Sequence, residues 1–330
     1  MAVGKNKIEI INVLKVVATF LVLYIHGANI YGYSGYNMPV YFRPLAAIAN
    51  SAVPVFMTVS GYLLFRKKIE WKDNLNKKIW RLAVPFIIWS SIWVLFELAG
   101  HFLIPVKFEN VLSWSPLQLL NGLFGIPFYR GPLYSPLWYV RELFILSLLA
   151  PLVQRSIKKW QVVYALIAVA IWFTPFNHYI RESITFFIIG GIIGSTSVIE
   201  EKIQLLDLRI GFIALGVGSL LSLFSMDLLW KTSILAMVFA LFFFCKYVEK
   251  KQRIKGACRK IMAYSFIIYV THGKLLSIVQ ILYSAKLDSL LFANIGYLLI
   301  PALIFVICLM FAVLFKKAFP GIYKICNGEK

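Results

Sequence analysis

Ten apolar runs constrain what this chain can fold into more than any other feature. They lie near residues 9–31, 44–65, 82–104, 134–154, 160–176, 181–198, 210–226, 228–245, 260–281 and 292–315. A helix needs roughly 20 apolar residues to cross a bilayer. Each run is about that long, although the fifth, sixth and seventh are short. Backbone inside hydrocarbon must satisfy its own hydrogen bonds, and no strand pattern is credible, so the runs are predicted to be helices. The expected fold is an all-α integral membrane protein with about ten transmembrane helices. It is one polytopic domain over 1–330, with no soluble domain. Composition agrees: 60% hydrophobic residues and a mean hydropathy of +0.79 exclude an ordinary globular enzyme. The basic start MAVGKNK runs into an apolar segment of spanning length with no small-residue cleavage site, so a retained first helix is expected.

The net charge of +20 is distributed by topology. With the N-terminus inside, the inner segments hold 25 of the 34 Lys and Arg. The outer loops hold six, and Lys15, Arg141 and Lys274 remain within helices. This bias predicts both termini in the cytoplasm of a multi-pass protein of the plasma membrane. Anionic membrane lipids are the expected counterions, and no nucleic acid is expected. Of the four cysteines, Cys245, Cys258 and Cys326 fall at the inner face and Cys308 within the last helix. No disulfide framework and no metal site is expected.

Ionisable groups at membrane depth mark sites or pathways. Eleven residues of helix separate Lys15 from His26, about three turns and roughly 16 Å, so both lie on nearly one face. Asn12 and Thr19 share that stripe. In the second run, Asn50, Pro54, Thr58 and Gly61 share a face, ending in Ser60-Gly61. That face serves either small-residue packing or close approach of a ligand. Gly190, Gly191 and Gly194 point to close helix contact. Lys77, Lys78 and Arg81 enter the third run just before Pro85, where cations suit a phosphate-bearing cofactor. The fourth run carries Trp138, Tyr139, Arg141 and Glu142, either a buried pair holding helices together or a group that orients substrate. The ninth carries Ser265, Tyr269 and His272, followed by Lys274. His101 and His178 lie near outer helix ends and are given no role. The longest non-helical stretch, 105–133, includes an apolar piece, Leu117–Phe128, that is too short to span. It is expected to hug the membrane or to act as a lid or acceptor-binding loop. A neutral histidine can take a proton from a hydroxyl, which makes His26 a general-base candidate. These residues leave two classes open, a transporter or an enzyme with a buried histidine site. The lack of an internal repeat weighs against a transporter of inverted halves.

The same residues resemble acyltransferase family 3, whose membrane proteins O-acylate polysaccharides, lipids and antibiotics. The likeness starts with Ile8-Glu-Ile-Ile-Asn-Val-Leu-Lys15 and Val22-Leu-Tyr-Ile-His26, similar to a basic residue, ten residues and a histidine. It continues through Val55-Phe-Met-Thr-Val-Ser60-Gly61-Tyr62, Lys77-Lys78-Ile-Trp-Arg81, Pro136-Leu-Trp138-Tyr139-Val-Arg141-Glu142 and Tyr264-Ser265-Phe-Ile-Ile-Tyr269-Val-Thr-His272. The resemblance implies transfer of an acyl group, most readily acetyl, from cytoplasmic acyl-CoA to a hydroxyl of a cell-envelope polysaccharide, glycolipid or other lipid-linked acceptor. It implies His26 as the catalytic residue, supported by Lys15, Arg141 and Glu142. Lys77, Lys78, Arg81, Ser60 and Gly61 would bind acetyl-CoA or another acyl-CoA. Asn12, Thr19, Trp138, Tyr139, Ser265, Tyr269 and His272 would line the substrate cavity, and no metal is implied. Lys15 and Lys78 stand where the family commonly carries arginine, which keeps the charge but loses the bidentate fork. The alternative implied activity is export of a polysaccharide or glycolipid precursor. Homodimer assembly is left open.

Overall fold

A computed structural model describes residues 2–103, 110–125, 132–197, 207–286 and 289–329. In chain order the helices are α1 (Ala2–Gly27), α2 (Asn29–Tyr33), α3 (Arg43–Asn50), α4 (Ala52–Phe65), α5 (Trp71–Lys78), α6 (Val84–Leu103), α7 (Pro116–Phe124) and α8 (Trp138–Lys159). They continue with α9 (Gln161–Phe173), α10 (His178–Ser195), α11 (Leu208–Ser222), α12 (Asp227–Val248), α13 (Gln252–Met262), α14 (Ser265–Ser284), α15 (Leu290–Ala318) and α16 (Pro320–Cys326). All ten apolar runs are helical, and no strand occurs among the described residues. Seven helices among the described residues are long and apolar enough to cross a membrane. The short fifth and seventh runs form α9 and α11, of 13 and 15 residues. At 1.5 Å per residue these reach only about 20 and 22 Å.

The third span is longer than its apolar run. Helix begins at Trp71, and α5, a π-helical turn at Ile79–Ala83 and α6 form one span of 33 residues. Asn74 makes the polar first turn packable: it is buried, and its side-chain amide donates to the Ser147 carbonyl at 2.7 Å. The basic stretch after α12 is likewise largely helical. In α13, Cys258 is buried while Arg253, Arg259 and Lys260 are exposed. The 105–133 region contains α7, which starts with a capping box: the Ser115 hydroxyl accepts from the Gln118 N–H, and the Gln118 side chain accepts from the Ser115 N–H. The remainder of the apolar piece, from residue 126 on, lies outside the described residues.

The first span is the most deeply buried of the seven, and α1 packs against α3, α4, α12, α13, α14 and α15. A polar stripe on α1 therefore faces protein from several directions. The closest helix pair is α4 with α10. A Cβ on Gly61 would collide with the Phe187 carbonyl, and Cβ atoms on Gly190 and Gly194 with the carbonyls of Thr58 and Tyr62. Only glycine admits backbones this close.

Candidate active site

The π turn brings Arg81 close to Lys15 of α1. Lys15, Lys78 and Arg81 lie close enough to repel one another. Lys15 and Lys78 are half-buried and Arg81 is exposed. Among the described residues none of the three forms an ion pair. The C-terminal turn closes over this end: Gly328, at φ +70°, packs on the Arg81 backbone, and Trp89 Nε1 donates to the Cys326 carbonyl at 3.1 Å. Lys77, one turn before Arg81, is exposed to solvent. A π turn widens the helix locally and often marks a functional position. Three cations with no carboxylate between them among the described residues could hold a phosphate-bearing ligand.

Eleven residues along α1, His26 meets His272 of α14. The ring centroids are 5.2 Å apart with planes at 49°. His272 is completely buried, and its Nδ1 lies 2.6 Å from the Tyr269 carbonyl. A carbonyl only accepts, so Nδ1 carries the proton and Nε2 presents a lone pair. That Nε2 is buried with no hydrogen-bond partner among the described residues. Of the two imidazoles, His26 is partly buried and His272 fully so. Gln280 of α14 secures the end of α1 by donating to the Gly27 carbonyl at 2.6 Å.

The segment around His272 is tied on all sides. The Tyr269 hydroxyl donates to the Pro136 carbonyl, and Trp93 Nε1 donates to the Val270 carbonyl at 3.1 Å. The Gly273 N–H donates to the Tyr134 hydroxyl at 2.8 Å, and Tyr134 stacks on Trp93. Lys274 pairs with Glu97 of α6. Glu97, Tyr134, Trp93 and Gln280 were not among the residues singled out from sequence. Only Glu97 carried a signal there, as the lone carboxylate in the third apolar run.

The other expected site residues divide into two groups. Tyr139 joins the cluster: its ring lies 5.9 Å from Tyr269, and its hydroxyl lies 3.4 Å from the Ser60 hydroxyl. Trp138 is buried against Tyr179, with ring centroids 4.4 Å apart. The Ser265 hydroxyl is buried without a partner among the described residues. On the α1 stripe Asn12 is buried, while the Thr19 hydroxyl bonds back to the Lys15 carbonyl at 2.8 Å. Gly61 lies in the α4–α10 contact, where the Phe187 backbone fills the space a ligand would need. Arg141 and Glu142 form a buried ion pair at 2.8 Å. The Arg141 guanidinium also donates to the Phe124 and Gly125 carbonyls at 3.1 and 2.8 Å. Arg141 therefore receives the free carbonyl end of α7, where Gly125 takes the left-handed cap at φ +68°. These contacts hold α7 onto α8.

In comparisons with known proteins, no solved structure matches the chain. A curated relative, the succinoglycan biosynthesis protein ExoH of Rhizobium meliloti (strain 1021), is 30% identical over 178 residues. The alignment covers 50% of this chain and 47% of the relative, so the chain matches about half the relative's length. The model of an acyltransferase domain matches residues 8–316, nearly all of the helical bundle that carries the cation cluster and the imidazole pair. This chain is thus a multi-pass membrane member of acyltransferase family 3.

Proposed function

We propose that the chain is an O-acyltransferase, most simply an O-acetyltransferase, that moves an acyl group from cytoplasmic acyl-CoA to a hydroxyl of a cell-envelope polysaccharide or glycolipid. The observation that carries this reading is the pairing of two sites on one helix. The cations Lys15, Lys78 and Arg81, which form no ion pair among the described residues, lie together at one end, and the His26–His272 pair lies eleven residues further along α1. In coenzyme A a flexible arm separates the phosphates from the thioester, and the two sites divide those parts between them. ExoH bears a polysaccharide in its name, which supports a glycan acceptor here.

In this mechanism Lys15, Lys78 and Arg81 hold the phosphates. His26 accepts the proton of the acceptor hydroxyl as its oxygen attacks the acyl carbon. The new C–O bond forms as the C–S bond breaks, and His26 returns the proton to the departing thiolate. His272 stays fixed by its Nδ1 bond to the Tyr269 carbonyl and packs against the His26 ring, holding it in register. Arg141 and Glu142 keep α7 seated beside the acceptor side.

The test uses purified protein in detergent with labelled acetyl-CoA and an envelope extract. Label should enter a glycan or glycolipid as a base-labile ester, and His26→Ala should abolish its entry. Glycan movement into vesicles without acetyl-CoA, together with no incorporated label, would replace the enzyme with an exporter.

A further inference from the structure

Two irregular pieces of backbone meet beside the cation cluster. One is the π turn at Ile79–Ala83, where the Val84 N–H reaches back five residues to the Ile79 carbonyl. The other is the end of α16. There the Gly328 N–H donates to the Ile325 carbonyl at 3.1 Å, and the Glu329 N–H to the Lys324 carbonyl at 2.8 Å. This pair of bonds, with Gly328 at φ +70°, is a Schellman turn. Glycine takes that left-handed conformation without the cost a Cβ would bring.

The Schellman turn is pressed onto the π turn. A Cβ on Gly328 would lie 2.7 Å from the Arg81 carbonyl oxygen and 3.0 Å from the Arg81 Cα. Both atoms are backbone, so a side chain here displaces the chain that carries Arg81. The turn meets Arg81 through backbone, and the Glu329 carboxylate is engaged by the Asn327 side-chain amide at 2.6 Å. Three further contacts keep α16 in place. Tyr323 is fully buried, and its hydroxyl donates to the Ala263 carbonyl at 3.0 Å. The Lys316 ammonium lies over the Tyr264 and Tyr323 rings, at 5.4 and 5.3 Å. Trp89, about two turns beyond Arg81, donates its Nε1–H to the Cys326 carbonyl at 3.1 Å. That carbonyl is one of those a helix end leaves without a partner of its own.

We infer that Gly328 and Trp89 are positioning residues of the donor site. The turn they fix holds the Arg81 backbone, and with it the guanidinium, where the phosphates of acyl-CoA bind. This inference rests on the proposed reading of the cation cluster. A binding group must be held within about 0.5 Å of its productive place. The Gly328 contact acts on that scale, because 2.7 Å must open toward the 3.4 Å at which ordinary contact begins.

The experiment measures coenzyme A binding to the full chain in detergent by isothermal calorimetry, beside KM and kcat for acetyl-CoA. Gly328→Ala should weaken coenzyme A binding and raise KM about tenfold, the scale of one charge-assisted hydrogen bond, with kcat unchanged. Trp89→Phe keeps a ring in the core but loses the bond to Cys326, and should weaken binding severalfold. Gly35→Ala is the control for backbone strain, since Gly35 has φ +73° and nothing within 4 Å of its Cβ position. It should leave coenzyme A binding as it was. If Gly328→Ala does not fold, Trp89→Phe carries the test, together with faster hydrogen exchange over residues 79–84. A merely structural turn predicts a lower Tm with coenzyme A binding intact in both variants, and that result overturns the inference. A lower kcat with unchanged coenzyme A binding also overturns it. No coenzyme A binding by the unsubstituted chain overturns the donor reading instead, and the inference falls with it.

Discussion

Arg141, Lys231 and Lys274 each rest against a carboxylate, whereas Lys15, Lys78 and Arg81 gather with none among the described residues. The first set pairs with Glu142, Asp227 and Glu97, and the Arg141 and Lys231 side chains are almost fully buried. Within the second set the charges repel one another. Two unit charges 4 Å apart interact by about 1 kcal/mol in water and about 4 kcal/mol near a protein surface. The fold neutralises three cations with its own carboxylates and leaves three others together, and the proposed function uses the second group for an anion from outside.

The largest expected effect falls on His26. His26→Ala should lower transfer about 10²–10⁴-fold, the usual contribution of a general base. Detergent stability should stay unchanged, because His26 is only partly buried. Retained acylation by a well-folded His26→Ala protein would remove the imidazole from the chemistry.

Next come the paired charges. Glu142→Gln leaves the Arg141 guanidinium buried without its counter-charge, at a cost of about 3–5 kcal/mol. Thermal unfolding in detergent should show this as a lowered Tm. Glu97→Gln should cost less, because the Lys274 side chain is 29% exposed and water can reach its charge. A large rise in KM for the acyl donor with no loss of Tm in Glu142→Gln would move that pair from architecture to binding.

The unpaired set should answer in the opposite way. Arg81→Gln should raise the KM for acyl-CoA about 10- to 100-fold, the loss of charge-assisted bonds to phosphate. The same substitution relieves repulsion, so Tm should hold or rise. A fall in Tm without a change in KM would break the distinction between the two sets. Lys15→Arg regains a bidentate fork and should lower that KM severalfold. The smallest effect is expected at Thr19→Val, within about 1 kcal/mol of stability and with activity retained, because the hydroxyl bonds only to its own helix.

The apolar runs, the charge bias and the face shared by Lys15 and His26 were legible because helical period is a local property. A residue's neighbours at i+4 and i+11 follow from geometry alone. The same logic found the glycines of the α4–α10 contact, since small residues at helical spacing permit close approach. It also left Gly61 with two readings, and only the Phe187 carbonyl at its Cβ position filled the ligand's space. The third helix was read eleven residues too short because Trp71–Arg81 is polar. Its first turn is held by a tertiary bond from Asn74 to Ser147 that no local pattern encodes.

What the sequence by itself determined is therefore the membrane class, the helices and the identity of the polar groups placed at depth. Which of those groups meet was decided only by the tertiary structure. Arg81 reaches Lys15 across 66 residues, His272 reaches His26 across 246, and Glu97 finds Lys274 across 177. Inside a membrane every neighbouring helix offers a similarly apolar face, so hydrophobicity does not select partners. Selection falls to glycine contacts, buried ion pairs and single hydrogen bonds to backbone carbonyls. Those depend on helix order and rotation, which emerge only when the whole bundle closes around α1.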